Sequence, residues 1–386
     1  MPAARLTIIL SGMMAAVPHQ GGATWSVLQY LLGFRRLGHD VYFVEPVQEA
    51  ALRPTGAPLD RTVNAAYFRR VTADFGLEDS SSLLVAGTRQ TVGLPYDRLR
   101  RVARRADVLV NISGLLADEE LTAHIPLRAY LDLDPAFTQL WHAAQGIDMR
   151  FAGHSHFVTI GQAIGRGGCA VPTCGLSWIT TPQPVVLEHW SVAERIAHDA
   201  FTTVGNWRGY GSIEHEGVFY GQKAHSLRRF IALPTLTGER FALALAIHPD
   251  ETNDLRALSD NGWRLLDPAR VARTPASYRR FVRGSKAEFG VAKSGYVAAG
   301  CGWFSDRSVC YLASGRPVIA QETGFGRFLP TGEGLFAFDT NDEVLASIEA
   351  LDSDYASHAR AARTIAEDHF DSDKVLSHLL EKLGVG

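Results

Sequence analysis

The chain has 386 residues, 46% of them hydrophobic and 20% charged, which is ample material for packed cores and excludes a largely disordered chain. At roughly 100–200 residues per domain, this length favours two domains. Lys+Arg of 38 against Asp+Glu of 41 leaves a formal charge of −3, so there is no overall basic footprint for nucleic acid.

The apolar runs are short and broken by Gly, Pro or charge, below the ~20 residues that span a bilayer. Residues 6–17 lead into a helix signal rather than a small-residue cleavage site, so no secretory leader is expected. Four cysteines suit a reducing compartment, and a cytoplasmic monomer or homodimer is the expectation.

Residues 5–11 (RLTIILS) read as a first strand that ends in Gly12. A loop through Pro18 and His19 follows, then a helix over 23–37 with Trp25, Leu28, Leu31 and Leu32 on one face and Gly38 as its stop. Strands are expected at 40–44, 82–86, 107–112, 128–133 and 156–160, with helices at 96–105 and 137–145 among them. Short buried strands with intervening helices imply a parallel sheet covered on both faces.

Residues 161–184 are long for a structureless loop. A helix is expected near 191–200, after which the alternation restarts. Strands are expected at 201–205, 241–247, 263–266, 287–292, 316–320 and 334–338, and residues 341–386 read as helical. The architecture predicted is α/β, with two Rossmann-like domains facing each other across a cleft. Residues 1–185 form the first, 186–200 a linker, 201–365 the second, and 366–386 a helix that packs back on the first.

In open α/β sheets, ligands bind beyond the carboxyl ends of the strands. That rule selects the His19–Gly22 loop, Glu45, Asp134 and Gln162 in the first half. In the second half it selects Asn206, Lys293 and Thr323 among others. Gly21 and Gly22 lead into a helix N-terminus, where close backbone approach and free N–H groups favour an anion. His19 could act there as a general base, since its usual pKa suits proton transfer near neutrality.

A second constellation is GCGWFSDRSVCYLASGRPVIA, residues 300–320. Ser305 is a good N-cap for a helix from Asp306 to about Ser314, with Gly315 as its stop. Arg307 and Ser308 then lie in the first turn, where dipole, guanidinium and hydroxyl could together hold a diphosphate. Arg208 and Lys223 follow the first strand of the second half and could neutralise a phosphate from the other side. His154 and His156 have no further ligand at a zinc spacing, so no metal is expected. Neither G-x-S-x-G nor G-x-x-x-x-G-K-[ST] is present.

The stretch GGATWSVLQYLLGFRRLGHDVYFVE, residues 21–45, resembles the opening of glycosyltransferases with the GT-B fold. Residues 295–338, GYVAAGCGWFSDRSVCYLASGRPVIAQETGFGRFLPTGEGLFAF, resemble their donor-binding half. There a helix N-terminus, a Gly-x-Pro-Val strand and a Thr-Gly loop hold the nucleotide-sugar, which implies roles for Thr323 and Gly324. Many retaining members carry two glutamates before that strand; this chain has Gly302 and Cys310 at those positions. The His-Gly-Gly element of an inverting group is also unmatched.

The resemblance implies a nucleoside-diphosphate-sugar as co-substrate, with no other cofactor, and a small-molecule acceptor. Donor contacts are expected from Gly21, Gly22, Arg208, Lys223, Ser305, Asp306, Arg307, Ser308, Thr323 and Gly324. Acceptor contacts are expected from Asp134 and Gln162, with His19 as catalytic base. A sugar-nucleotide 2-epimerase or a non-catalytic nucleotide-sugar-binding relative are the alternatives on this architecture. A guanidinium in a first helical turn is disfavoured by the dipole. Removing Arg307 is therefore expected to leave folding intact while weakening donor binding.

Overall fold

The structure, a computed structural model, describes residues 5–386. Its first sheet holds β1 (Thr7–Ser11), β2 (Asp40–Val47), β3 (Ser81–Val85), β4 (Thr91–Gly93), β5 (Val108–Ile112), β6 (Leu127–Asp132), β7 (His156–Thr159) and β8 (Trp178–Thr180). They lie in the order β4-β3-β2-β1-β5-β6-β7-β8. All neighbours run parallel except β4, which returns antiparallel along β3. Every residue of β3 and β5 is buried, as expected for strands covered on both faces.

The second half contributes β9 (His198–Asn206), a small hairpin of β10 (Ile213–His215) and β11 (Val218–Tyr220), then β12 (Phe241–Ala246), β13 (Arg264–Leu265), β14 (Ser285–Gly290), β15 (Val318–Gln321) and β16 (Leu335–Phe338). Apart from the hairpin these form a parallel sheet ordered β13-β12-β9-β14-β15-β16. Strand order reverses at β1 in the first sheet and at β9 in the second. Such switch points open a crevice beyond the strand ends.

The two halves touch through the helix Gly21–Arg36. Trp25 is fully buried, its indole donates to the Pro275 carbonyl at 2.9 Å, and it packs edge-on against Trp190 at 5.1 Å. The last helix, Ser372–Lys382, crosses to the same element; a Cβ at Gly33 would collide with Leu376. Leu28, Leu376 and Leu380 bury there, each contributing about 1.5–3 kcal/mol.

Two expectations fail. No helix forms at 191–200, because the Ala193 and Ala197 N–H groups bond the Ser314 and Gly284 carbonyls and the chain enters β9 at His198. The strand expected over 263–266 pairs only at Arg264 and Leu265. Among the described residues, no helix is long and apolar enough to cross a membrane.

Candidate functional site

Two cavities of about 380 and 450 Å³ open beyond the carboxyl ends of β1 and β9. They share Gly205, Asn206, Asp306 and Arg307, so they are two arms of one cleft. Asp134 and Lys293 stand in one arm, His19 and the Gly21–Gly22 turn in the other.

Gly205, the next-to-last residue of β9, presents bare backbone. From the point where a Cβ would sit, Lys223 Cε is 3.6 Å away and Arg307 Nη1 is 3.9 Å away. Lys223 is only 7% exposed, and its ammonium donates to the Val291 carbonyl. Burial, reinforced by the Arg307 charge, holds its pKa well below that of an ordinary lysine. Arg307 pairs through Nε with Glu288, a residue with no exposure, and donates from Nη1 to the Val204 carbonyl at 3.1 Å. The expectation that Arg307 could be lost without harm to folding is therefore corrected, since Glu288 depends on it.

Helix Asp306–Ala313 forms as read, with Ser305 Oγ accepting from the Arg307 N–H at 3.2 Å and Gly315 at φ +66° after its end. Ser305 and Asp306 both line the cleft. Ser308, in the same turn, is buried away from both arms.

His19 adopts φ +69° and packs edge-on to Tyr67 at 5.1 Å. Its Nε2 lies 3.3 Å from Arg273 Nη2, while Nδ1 is buried with no partner among the described residues. Burial, then the Arg273 charge, lowers its pKa and favours the neutral ring. The loop before it is held by Glu45, whose Oε1 accepts from Met14 N (2.9 Å), Ala15 N (2.7 Å) and Ala16 N (2.6 Å).

The glycines serve packing here. Gly21 N donates to the Ala272 carbonyl at 2.8 Å, and a Cβ would strike the Thr274 carbonyl. A Cβ on Gly22 would come within 3.0 Å of the Tyr278 ring. The Gly21 donor expected to face an anion is engaged by the other half of the molecule.

In the second arm, Asp134 reaches across the cleft. Its carboxylate accepts from the Tyr210 and Tyr296 hydroxyls and from Lys293 Nζ at 3.1 Å. Lys293 sits 4.0 Å from the centre of the Tyr210 ring and 5.0 Å from those of Phe137 and Tyr296. Trp303 stacks on Tyr296 at 4.3 Å. Asp132, fully buried, fixes the turn by accepting from Asp134 N at 2.9 Å, Thr138 at 2.7 Å and Gln139 at 2.9 Å.

Four other expected residues lie off the cleft. Arg208 points to an ion pair with Glu251. Thr323 donates its hydroxyl to the Trp303 carbonyl, and Gly324 at φ +94° packs on Gly300, so both shape the loop at 300–305. Gln162 lines an adjoining cavity of about 230 Å³ with Phe304, Phe325 and Phe328, which meets the first arm at Gln183. His154 contacts Asn111 Nδ2 at 3.0 Å. Gly302 has φ +73° and Ala163 N only 3.0 Å from a would-be Cβ, while Cys310 is buried and receives Gln29 Nε2 at 3.8 Å. Neither position has room to present a glutamate to a ligand.

The motifs missed Tyr210, Gln222, Tyr296 and Trp303, which line the cleft. The turn Glu216–Gly217, with φ +50° and +75°, marks the hairpin that carries Tyr210 and Gln222 on its flanks.

No protein-family model and no curated protein matches the sequence. Solved structures match in fold. AviGT4, a glycosyltransferase involved in avilamycin A biosynthesis, gives a TM-score of 0.56 over 98% of this chain and 97% of its own, at 15% identity. An α-glucosyltransferase in complex with UDP and a 13-mer DNA containing a central A:G mismatch gives 0.61 over 98% and 99%, at 12% identity. Alr3699/HepE from Anabaena, in complex with UDP-glucose, gives 0.59 over 98% and 99%, at 13% identity. Each likeness spans both sheets and the cleft between them. The chain has the GT-B fold, two Rossmann-like α/β halves facing each other across that cleft.

Proposed function

We propose that the protein is a glycosyltransferase that moves a sugar from a nucleoside-diphosphate-sugar to a small-molecule acceptor. The observation that carries this reading is the convergence of Lys223 and Arg307 on the bare backbone of Gly205, where the two arms meet. A diphosphate held there would have two cations and the N-terminus of helix Asp306–Ala313 beside it. Its charge grows as the sugar departs, so contacts fixed in advance stabilise the transition state more than the ground state. In this reading these groups serve without a metal, and no cofactor is needed besides the nucleotide-sugar donor itself.

Solved structures of the same fold in complex with UDP or UDP-glucose support a nucleotide-sugar donor. Arms of about 380 and 450 Å³ suit a donor and a small acceptor. A DNA-bound α-glucosyltransferase shares the fold, but the formal charge of −3 here favours the small molecule. An epimerase needs free acid/base carboxylates, and of the two acids lining the arms Asp134 is already held by Lys293 and two tyrosines.

His19 is the proposed base, a ring kept neutral by burial and by the Arg273 charge and standing in the lining of one arm. His19→Ala should lower turnover by roughly 10²–10⁴-fold with nucleotide affinity unchanged. The assay is release of nucleoside diphosphate from the donor with acceptor present, beside nucleotide titration. Near-normal turnover would remove His19 from the chemistry.

A further inference from the structure

Two acids line the cleft arms among the described residues, and they differ in one respect. Asp134 is saturated by Lys293, Tyr210 and Tyr296. Asp306 is in no ion pair among the described residues, and its side-chain partner is Ser305 Oγ at a weak 3.4 Å. It belongs to both arms, at the point where they join.

Local stability does not account for that carboxylate. Ser305 already caps the helix, and an acid in the first turn contributes only about 0.3–1 kcal/mol through the dipole. Against this stands the cost of holding a half-buried carboxylate without an ion-pair partner among the described residues. Burial does raise its pKa, and the neighbouring Arg307 only partly offsets that. Asp306 also adjoins the proposed diphosphate position, where a second negative charge is repelled. Its favourable partner is therefore a part of the donor that carries hydroxyls or a positive charge, and no negative charge. Ser26 of the first half lines the same arm and offers a further hydroxyl.

We infer that Asp306 determines donor specificity: its carboxylate accepts hydrogen bonds from hydroxyls of the transferred sugar and restricts the donor to neutral or cationic sugars, excluding those that bear a carboxylate. This rests on the transferase reading and fixes the class of sugar it moves.

The test is calorimetric titration of the full chain and of Asp306→Asn, first with UDP, dTDP, GDP and ADP to identify the base. The hexose and hexuronate esters of the diphosphate that binds are then compared. The wild-type chain should bind the neutral ester at least about tenfold more tightly, ~1.4 kcal/mol. Asp306→Asn should cut that preference to about threefold or less, with affinity for the bare diphosphate kept or tightened as the repelling charge is removed, which also shows that the variant is folded. No wild-type preference would overturn the inference. So would an equal preference in both proteins, or a loss of bare-diphosphate affinity as large as the loss for the sugar ester. If none of the four diphosphates binds, the transferase reading itself fails and the inference falls with it.

Discussion

Arg307 stands where helix electrostatics alone disfavour a cation, in a first turn beside free N–H groups. That much is legible in the sequence, as are Ser305 as a cap and Lys223 beyond a strand end. What the sequence hides is the partner. Glu288 lies within a largely buried strand, and the pairing of β14 with β9 places it toward Arg307. Removing one member of a buried pair strands the other, at a cost of about 3–5 kcal/mol. Arg307→Ala should lower stability by that order in urea unfolding, and adding Glu288→Gln should recover part of it. An unchanged unfolding midpoint would show that the pair contributes nothing.

At the scale of elements, the loop from Gly12 to His19 is organised by one buried carboxyl group. Burial raises the Glu45 pKa to about 7, against the pull of three backbone N–H groups that favour its charge. The unfolded chain loses this proton near the usual glutamate value of about 4.5, so between there and about 7 the folded protein holds a proton that the unfolded chain has released. Stability from this group is present below that window and lost as pH rises through it. Urea unfolding of wild type at pH 5 and pH 8 should show that fall, and Glu45→Gln should reduce it. Parallel pH dependence in both proteins would contradict the assignment.

Elements whose signal is local were legible: helix Phe137–Gln145 has the predicted bounds, and helix Asp306–Ala313 starts at its predicted cap. The stretch 191–200 was misread because its alanines and charges favour a helix, while its N–H groups are taken by the second half. The hairpin β10–β11 was missed although Glu216–Gly217 is a short-turn signal.

At the scale of the molecule, alternating short buried strands and helices were enough to read two parallel sheets, since such strands demand cover on both faces. The way the halves meet was not legible. Gly21 against Ala272, Gly33 against Leu376 and Asp134 against Lys293 join residues 251, 343 and 159 positions apart, and no local pattern encodes such distances. The same closure brings Lys223 and Arg307 to the join of the arms. Lys223 tests the central claim most directly, because among the described residues it has no ion-paired carboxylate that its loss would strand. Titrating wild type and Lys223→Met with UDP, dTDP, GDP and ADP, beside thermal melts, separates binding from folding. Wild type should bind at least one diphosphate, and Lys223→Met should lose about 1.5–3 kcal/mol of that affinity. Removal of a buried cation should leave the free variant as stable as wild type or more so. Equal affinity in the two proteins, or no diphosphate bound by wild type, would contradict a donor site at the junction of the two halves.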